Sequence, residues 1–143
     1  DLIGEILLKN QIDSFCIDAG GDMLYHNIQP SPLSVGLEDP TNTSQIIGVA
    51  TIYNQSICGS ATNKRSWEGL HHIINPQTLV SPQEILATWV VAEETITADA
   101  LATCLFIVTP QVLASSYQFE YLIMYKDRSI QKSLRFPVEL FTS

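Results

Sequence analysis

The segment TADALATCLF, residues 97–106, predicts a helix that begins at a capping threonine, Thr97. Asp99 and Thr103 are four residues apart in it, so their side chains should share one helix face, about one turn apart. A carboxylate beside a hydroxyl suits a small divalent cation, and free N–H groups at the helix start would favour an anion. The alanines between them would let a ligand or another backbone approach closely. The alternative is an ordinary helix in which Asp99 only complements the dipole and Thr103 has no special role.

Length and composition indicate one globular domain with a core of its own. The chain has 143 residues, 45% of them hydrophobic, and a net charge of -8 with only seven Lys and Arg. This balance argues against nucleic acid or an anionic membrane surface as the main partner. Any phosphate would have to be held by backbone amides, a helix N-terminus or a metal ion. Because the chain starts at Asp1 in what looks like the middle of a helix, we expect a piece of a longer protein.

Three cysteines, Cys16, Cys58 and Cys104, are widely spaced and lie among apolar or small residues. Their number and spacing give neither a disulfide framework nor a zinc motif. Free cysteines are usually buried, so we expect three buried thiols.

Two adjacent glycines, Gly20 and Gly21, follow the first predicted strand, residues 14–17, in the segment DAGGD. Glycine permits positive φ and lets a ligand lie against the backbone. The same residues are equally typical of a tight hairpin turn, since residues 23–25 look like the next strand. Both interpretations remain open from the sequence.

The remaining pattern predicts an α+β domain with a mostly antiparallel sheet and two or three helices. A polar turn is expected at 41–44, a loop at 59–69, and a closing pair of strands joined by a turn at 126–129. The other predicted elements are an amphipathic helix at 2–9, a short helix at 112–114, and strands at 33–37, 46–53, from 56, 85–92, 119–125 and 134–141.

Two adjacent histidines, His71 and His72, stand in front of two isoleucines. If this segment is extended, one imidazole points inward and the other outward. An inward histidine is more often a hydrogen-bonded core residue than a catalyst.

Four short motifs, DAGGD, VGLEDP, HHIINPQT and TADALAT, follow one another in this chain. Their order resembles the C-terminal half of the ApbE family, the FAD:protein FMN transferases, formerly called thiamine biosynthesis lipoproteins. The match runs from Ser14 to about Val108. The resemblance implies that residues 1–143 form the C-terminal portion of an ApbE-like, T-fold-like domain. The family includes exported, membrane-anchored lipoproteins and cytoplasmic members, so it implies no compartment.

The resemblance also implies a metal and catalytic site. Asp99 and Thr103 would hold Mg²⁺ against the pyrophosphate of FAD. His72, with His71 as second choice, would border the same nucleotide and, with Asp99, is the expected catalytic residue. Arg65 would reach a phosphate oxygen, although a solvated loop cation is an equal alternative.

The glycine turn is implied to contact FAD. The four residues carried over for this role are Ala19, Gly20, Gly21 and Asp22. The chain departs from the family pattern at two positions, with Asn75 where the pattern has aspartate and Leu79 where it has glycine.

The activity implied is Mg²⁺-dependent transfer of FMN from FAD to a Ser or Thr hydroxyl of an acceptor flavoprotein, with release of AMP. The partners implied are FAD, the acceptor and the missing N-terminal half of the same protein. Two alternatives are a degenerate or non-catalytic flavin-binding module and an FAD pyrophosphatase. An open sheet edge also makes a homodimer possible.

Overall fold

A six-stranded antiparallel sheet forms the middle layer of the fold, in the order β1-β2-β5-β8-β9-β10. The computed structural model describes residues 1–64, 66–67 and 69–141. A three-stranded antiparallel sheet, β11-β4-β3, covers one face, and helix α2 covers the other. The elements are α1 (Leu2–Lys9), β1 (Ser14–Asp18), β2 (Met23–Asn27), β3 (Leu33–Asp39), β4 (Asn42–Ile52), β5 (Ser56–Ala61), β6 (Ser66–Trp67), β7 (Leu70–His71), β8 (Ile85–Ala92), α2 (Thr95–Cys104), α3 (Pro110–Leu113), β9 (Glu120–Tyr125), β10 (Ile130–Lys132) and β11 (Val138–Leu140). The predicted fold class, α+β with a mostly antiparallel sheet and two or three helices, is confirmed, and the described residues form three helices.

Strand β8 lies in the middle of the large sheet and is buried on both faces. Ala87, Trp89 and Val91 pack into the core between the two sheets. Val90 and Ala92, which point the opposite way, pack into the core under α2. Because both faces are covered, β8 lacks the polar alternation of a half-exposed strand and reads as an apolar run. Its predicted bounds, 85–92, are confirmed.

Helix α2 lies close against the sheet because its buried residues are mostly small. Ala98, Leu101 and Ala102 are buried in the core that the helix shares with β5 and β8. The hydroxyl of Thr88 donates a 2.6 Å hydrogen bond to the carbonyl oxygen of Ala102. The close approach that the alanines permit is therefore that of the helix to the sheet.

The start of α2 was predicted wrongly. The helix begins at Thr95, after the extended residue Glu94, so Thr97 lies inside the helix and is not its cap. Asp1, distant in sequence, accepts the first helical N–H groups instead, which a local pattern does not reveal.

Two predicted irregular segments are partly strand. β4 begins at Asn42, inside the expected turn 41–44, and β5 continues to Ala61, inside the expected loop 59–69. Both extensions are stabilised by pairing with a neighbouring strand, as in the register pairs Ser60 with Thr88 and Ala61 with Ala87. Pairing across a sheet overrides the weak strand propensity of small and polar residues.

The predicted closing pair of strands is wrong in its second member. β9 pairs with β10, residues Ile130–Lys132, across the expected turn, whereas β11 pairs with β4 in the smaller sheet. Phe136 is buried in the core between the sheets. Its burial takes the chain away from β9 and onto the second sheet.

The cysteine prediction is confirmed at one position of three. Cys58 is buried, Cys104 is half-buried and Cys16 is exposed. Cys16 lies on β1, an edge strand, where one face of the sheet meets solvent.

Helix α1 ends at Lys9, as predicted, but its apolar side is not covered within the described part of this chain. Leu2 is 75% exposed, and Ile3 and Ile6 are each 58% exposed. Only Gly4 is buried in this helix. Within the described part of the chain, no helix is long and apolar enough to cross a membrane.

An ion pair joins the two sheets. Asp39, at the end of β3, is buried, and its Oδ2 accepts a 2.8 Å hydrogen bond from Nη2 of Arg128 in the β9–β10 turn. The backbone N–H and the hydroxyl of Thr41 donate to Oδ1 of the same carboxylate. The hydrogen bond from Arg128 holds the pKa of Asp39 well below its usual range.

We expect Asp39→Asn to lower the free energy of unfolding by about 2 kcal/mol, because the charged hydrogen bonds of a buried carboxylate are lost. Denaturant unfolding at pH 7 measures it. The matched control is Glu38→Gln, the adjacent residue, whose 2.7 Å pair with Lys64 is exposed and should contribute less than about 1 kcal/mol. Equal losses in the two variants would contradict a special role for Asp39.

The ion pair of Asp39 with Arg128 also predicts that the free energy of unfolding depends on pH. The folded protein holds the pKa of Asp39 below its unfolded value of about 3.9. Its contribution to stability is therefore present above about pH 4 and is lost as the pH falls toward the lowered folded pKa. In Asp39→Asn, the free energy of unfolding should therefore change less with pH below about pH 4 than it does in the wild-type protein.

Candidate functional site

The glycine turn is a tight hairpin between β1 and β2. Gly20 and Gly21 have φ of 83° and 105°, in the region that glycine adopts without strain. Their N–H groups donate to Oδ1 of Asp18 at 3.0 and 2.9 Å, and the N–H of Ala19 donates to the carbonyl of Asp22. The hairpin interpretation is confirmed. These three amides already have acceptors, so none of them is free to donate to a ligand.

The N-terminus of α2 is occupied by a carboxylate of the protein itself. The Oδ1 and Oδ2 atoms of Asp1 accept hydrogen bonds from the N–H groups of Thr95 and Ile96 at 2.8 and 2.9 Å. The N–H groups at this helix start do bind an anion, as expected, but that anion is the side chain of Asp1, so these two N–H groups are not available to a ligand. Asp1 takes that position and ties the start of α1 to the start of α2.

Asp99 and Thr103 lie on the exposed side of α2, on one face as predicted. Oγ1 of Thr103 lies 3.1 Å from Oγ of Ser60 on β5. The helix face thus meets the end of a central strand at Thr103.

The structure brings the glycine turn and the helix together. Burial, and then the nearby charge of Asp99, raise the pKa of Asp22. Burial, and then the charge of Asp22, raise the pKa of the Cys58 thiol, so this cysteine stays protonated. Asp22, Cys58 and Asp99 therefore form one neighbourhood, with Asp18 close enough to add to the effect on Asp22.

A cavity of about 230 Å³ opens beside this neighbourhood. Gly59 lies in its wall, and a Cβ there would come within 3.0 Å of Cδ1 of Trp89, so glycine allows the indole to lie against β5. Other lining residues are Gly20, Gly21, Cys58, Ser60, Lys64 and Trp89.

Sequence reasoning did not identify Cys58, Ser60 or Trp89 as site residues. The available signal was the small residues Ser56, Cys58 and Ser60 at a spacing of two, which marks one face of a strand. That signal has meaning only once β5 is known to continue past Cys58.

The two histidines alternate, as expected for an extended segment. His71 is 4% exposed, and its Nε2 donates to the carbonyl of Pro82 at 2.6 Å, while His72 is exposed. The backbone of His71 exchanges two hydrogen bonds with the hydroxyl of Ser81. His71 is therefore fixed by hydrogen bonds, and His72 is the histidine whose side chain is accessible to a ligand. Arg65 lies outside the described residues.

The loop after the histidines is closed by the two residues that depart from the family pattern. Oδ1 of Asn75 accepts from the N–H of Gln77 at 2.9 Å, as an aspartate would. The carbonyl of Asn75 accepts from the N–H of Leu79, and the N–H of Asn75 donates to the carbonyl of Val80. Leu79 has φ of 59°, a left-handed conformation that suits glycine, and its side chain is 78% exposed.

We expect Leu79→Gly to raise the free energy of unfolding by about 0.5–1 kcal/mol. Relief of left-handed strain gains about 1–2 kcal/mol, and the greater freedom of unfolded glycine costs about 0.5–1 kcal/mol. The control is Val80→Gly, an exposed neighbour without positive φ, which should destabilise. Destabilisation by both changes would show that Leu79 is not strained.

We expect Asp1→Ala to lower the free energy of unfolding by about 1 kcal/mol, because two N–H groups of α2 lose their acceptor. Glu94→Ala is the control, since Glu94 precedes the helix but its side chain makes no capping bond to the backbone. Denaturant unfolding of both variants measures the difference. A loss in Glu94→Ala as large as that in Asp1→Ala would contradict capping by Asp1.

The residues present fit a magnesium ion that shares its ligands with a substrate. No group of three His, Cys, Asp or Glu side chains able to hold a metal occurs in the described ranges. Mg²⁺ is commonly held by one or two carboxylates together with substrate phosphates and waters. Asp99 and Thr103 supply one carboxylate and one hydroxyl, which is such a partial set.

A six-stranded antiparallel sheet, covered by a second sheet on one face and by α2 on the other, places the chain in the α+β class. The model of the ApbE family matches residues 1–122, and the chain belongs to this family. No curated protein matches the chain.

Solved structures share this fold. The ApbE protein of Thermotoga maritima superposes with a TM-score of 0.80 at 24% identity, over 94% of this chain and 48% of that one. The flavin transferase ApbE of Vibrio cholerae gives 0.70 at 17% identity, over 93% and 46%. A histidine-to-glycine variant of the Vibrio cholerae protein gives 0.71 at 19% identity, over 95% and 47%. The chain therefore spans about half the length of these relatives.

Proposed function

We propose that this chain is the C-terminal half of a magnesium-dependent flavin transferase, which moves FMN from FAD to a Ser or Thr hydroxyl of an acceptor flavoprotein and releases AMP. The observation that carries the proposal is the contact of Thr103, one helical turn from Asp99, with Ser60, which lines the cavity together with the glycine turn, in a chain of the ApbE family. A solved relative is a flavin transferase by name, which supports the same activity here.

The charge of the site supports a cation requirement. The charges of Asp99 and Asp18 both help to raise the pKa of Asp22, and the chain carries a net charge of -8. The amides of the glycine turn and of the α2 start already donate to carboxylates. An FAD pyrophosphate would meet repulsion here unless a cation lay between the negative groups. When bound, Mg²⁺ would neutralise charge on the pyrophosphate and on the departing AMP.

Each residue then has a stated role. Asp99 and Thr103 supply oxygen ligands, and Ala19, Gly20, Gly21 and Asp22 border the flavin nucleotide. The exposed imidazole of His72 takes the proton of the acceptor hydroxyl as its oxygen attacks the FMN phosphorus. One P–O bond forms to the acceptor, the pyrophosphate P–O bond breaks, and AMP departs. Arg65 remains a candidate contact to a phosphate oxygen.

The upstream half of the fold would complete the site. A cavity of about 230 Å³ is smaller than the roughly 300–1,000 Å³ usual for ligand pockets, so FAD needs further walls. The uncovered apolar residues of α1 offer a surface on which that half could pack. A homodimer through an open sheet edge is a second way to cover exposed strands, and sedimentation would test it.

The strained Leu79 favours one alternative, a degenerate module that binds flavin without transferring it. A pyrophosphatase, in which water replaces the acceptor hydroxyl, is the other. Free FMN as the product would identify the pyrophosphatase, and bound but unaltered FAD would identify the module.

Calorimetric titration of FAD tests the proposal on this chain and on the full-length protein, with and without Mg²⁺. We expect Mg²⁺ to strengthen FAD binding and both Asp99→Ala and Thr103→Val to abolish that gain, because each removes an oxygen ligand. Glu93→Ala is the control, an exposed carboxylate before α2. Binding by the full-length protein that ignores Mg²⁺, or that survives Asp99→Ala, would overturn the proposal.

A further inference from the structure

Strand β5 presents a row of three small polar side chains to helix α2. Oγ of Ser56 lies 2.8 Å from Oγ1 of Thr95, and the thiol of Cys58 donates to the carbonyl oxygen of Thr95 at 3.7 Å. Oγ of Ser60 lies 3.1 Å from Oγ1 of Thr103. The row therefore contacts both the first turn of the helix and the residue proposed to hold the cation.

The spacing of the two serines matches the spacing of their partners. Ser56 to Ser60 spans four strand residues, about 13 Å at a rise of about 3.3 Å per residue. Thr95 to Thr103 spans eight helix residues, about 12 Å at 1.5 Å per residue. The helix therefore runs along β5 in a register with one hydroxyl pair at each end. The pair at Ser56 involves Thr95, which is not a proposed ligand and lies about 12 Å along the helix from Thr103, whereas the pair at Ser60 includes Thr103 itself.

The hydrogen bond between Ser60 and Thr103 affects how Thr103 can bind a metal ion. A neutral hydroxyl that ligates a cation offers a lone pair and must direct its proton elsewhere. Oγ of Ser60 is placed to accept that proton. Without it, the hydroxyl of a helical threonine has a competing position, in which it donates to the carbonyl one turn earlier, here that of Asp99.

We propose that Ser60 is a positioning residue for the cation site, and that it accepts the proton of Thr103 so that the lone pairs of Oγ1 face the metal. This inference rests on the proposed function and adds a residue to it. Ser60 also lines the cavity, so one residue contacts both the cavity and Thr103.

The test compares three variants of the full-length protein by calorimetric titration of Mg²⁺ in the presence of FAD, with thermal unfolding of each. We expect Ser60→Ala to raise the Mg²⁺ dissociation constant about tenfold, a typical loss when the hydrogen-bond partner of a metal ligand is removed. Ser60→Thr keeps the hydroxyl on a strand that tolerates β-branching, so it should restore Mg²⁺ affinity. Ser56→Ala is the control, because it removes the other hydroxyl pair and should lower stability while Mg²⁺ affinity stays near wild type.

Each outcome decides the matter. Equal Mg²⁺ affinity in wild type and Ser60→Ala, with Asp99→Ala still deficient, would overturn the role of Ser60 and leave the proposed function standing. Equal losses in Ser56→Ala and Ser60→Ala would also overturn it, because helix docking alone would then explain both. If Asp99→Ala binds Mg²⁺ as tightly as the wild-type protein does, the proposed function and this inference are overturned together.

Discussion

The attachment of α2 to the central sheet is the constraint on which the rest of the structure depends. Ala98 and Ala102 bring the helix close to β5 and β8, and the hydroxyl of Thr88 satisfies a helix carbonyl in the buried contact. An unpaired hydroxyl or carbonyl there would cost about 1–3 kcal/mol. Because Ala98, Leu101 and Ala102 occupy the buried face, Asp99 and Thr103 lie on the more exposed side of the helix, where Thr103 meets Ser60 at the end of β5.

Carboxylates, rather than substrates, hold the backbone donors of this site. Asp18 accepts from the glycine turn and Asp1 accepts from the first turn of α2. These contacts make the candidate site rigid and also make it negative. The pyrophosphate of a nucleotide that approached these carboxylates would need a cation between the negative charges. Asp99 and Thr103, the ligands in the proposed chemistry, are also the residues that would hold this cation.

The chain has a core of its own, but part of its apolar surface is uncovered. The two sheets and α2 bury two apolar clusters. By contrast, α1 keeps large apolar side chains exposed, and the cavity is small for the ligand that its family suggests. Both features agree with a chain that covers slightly less than half of its solved relatives.

Local patterns in the sequence determined the fold class, the apolar strand β8, the shared face of Asp99 and Thr103, and the alternation of His71 and His72. Each of these depends on a periodicity or a backbone preference within a few residues. Only the tertiary structure decided that β11 pairs with β4, that Asp1 caps α2, and that Ser60 contacts Thr103. Those contacts join residues far apart in sequence, so their free energy depends on burial and pairing that no local window contains.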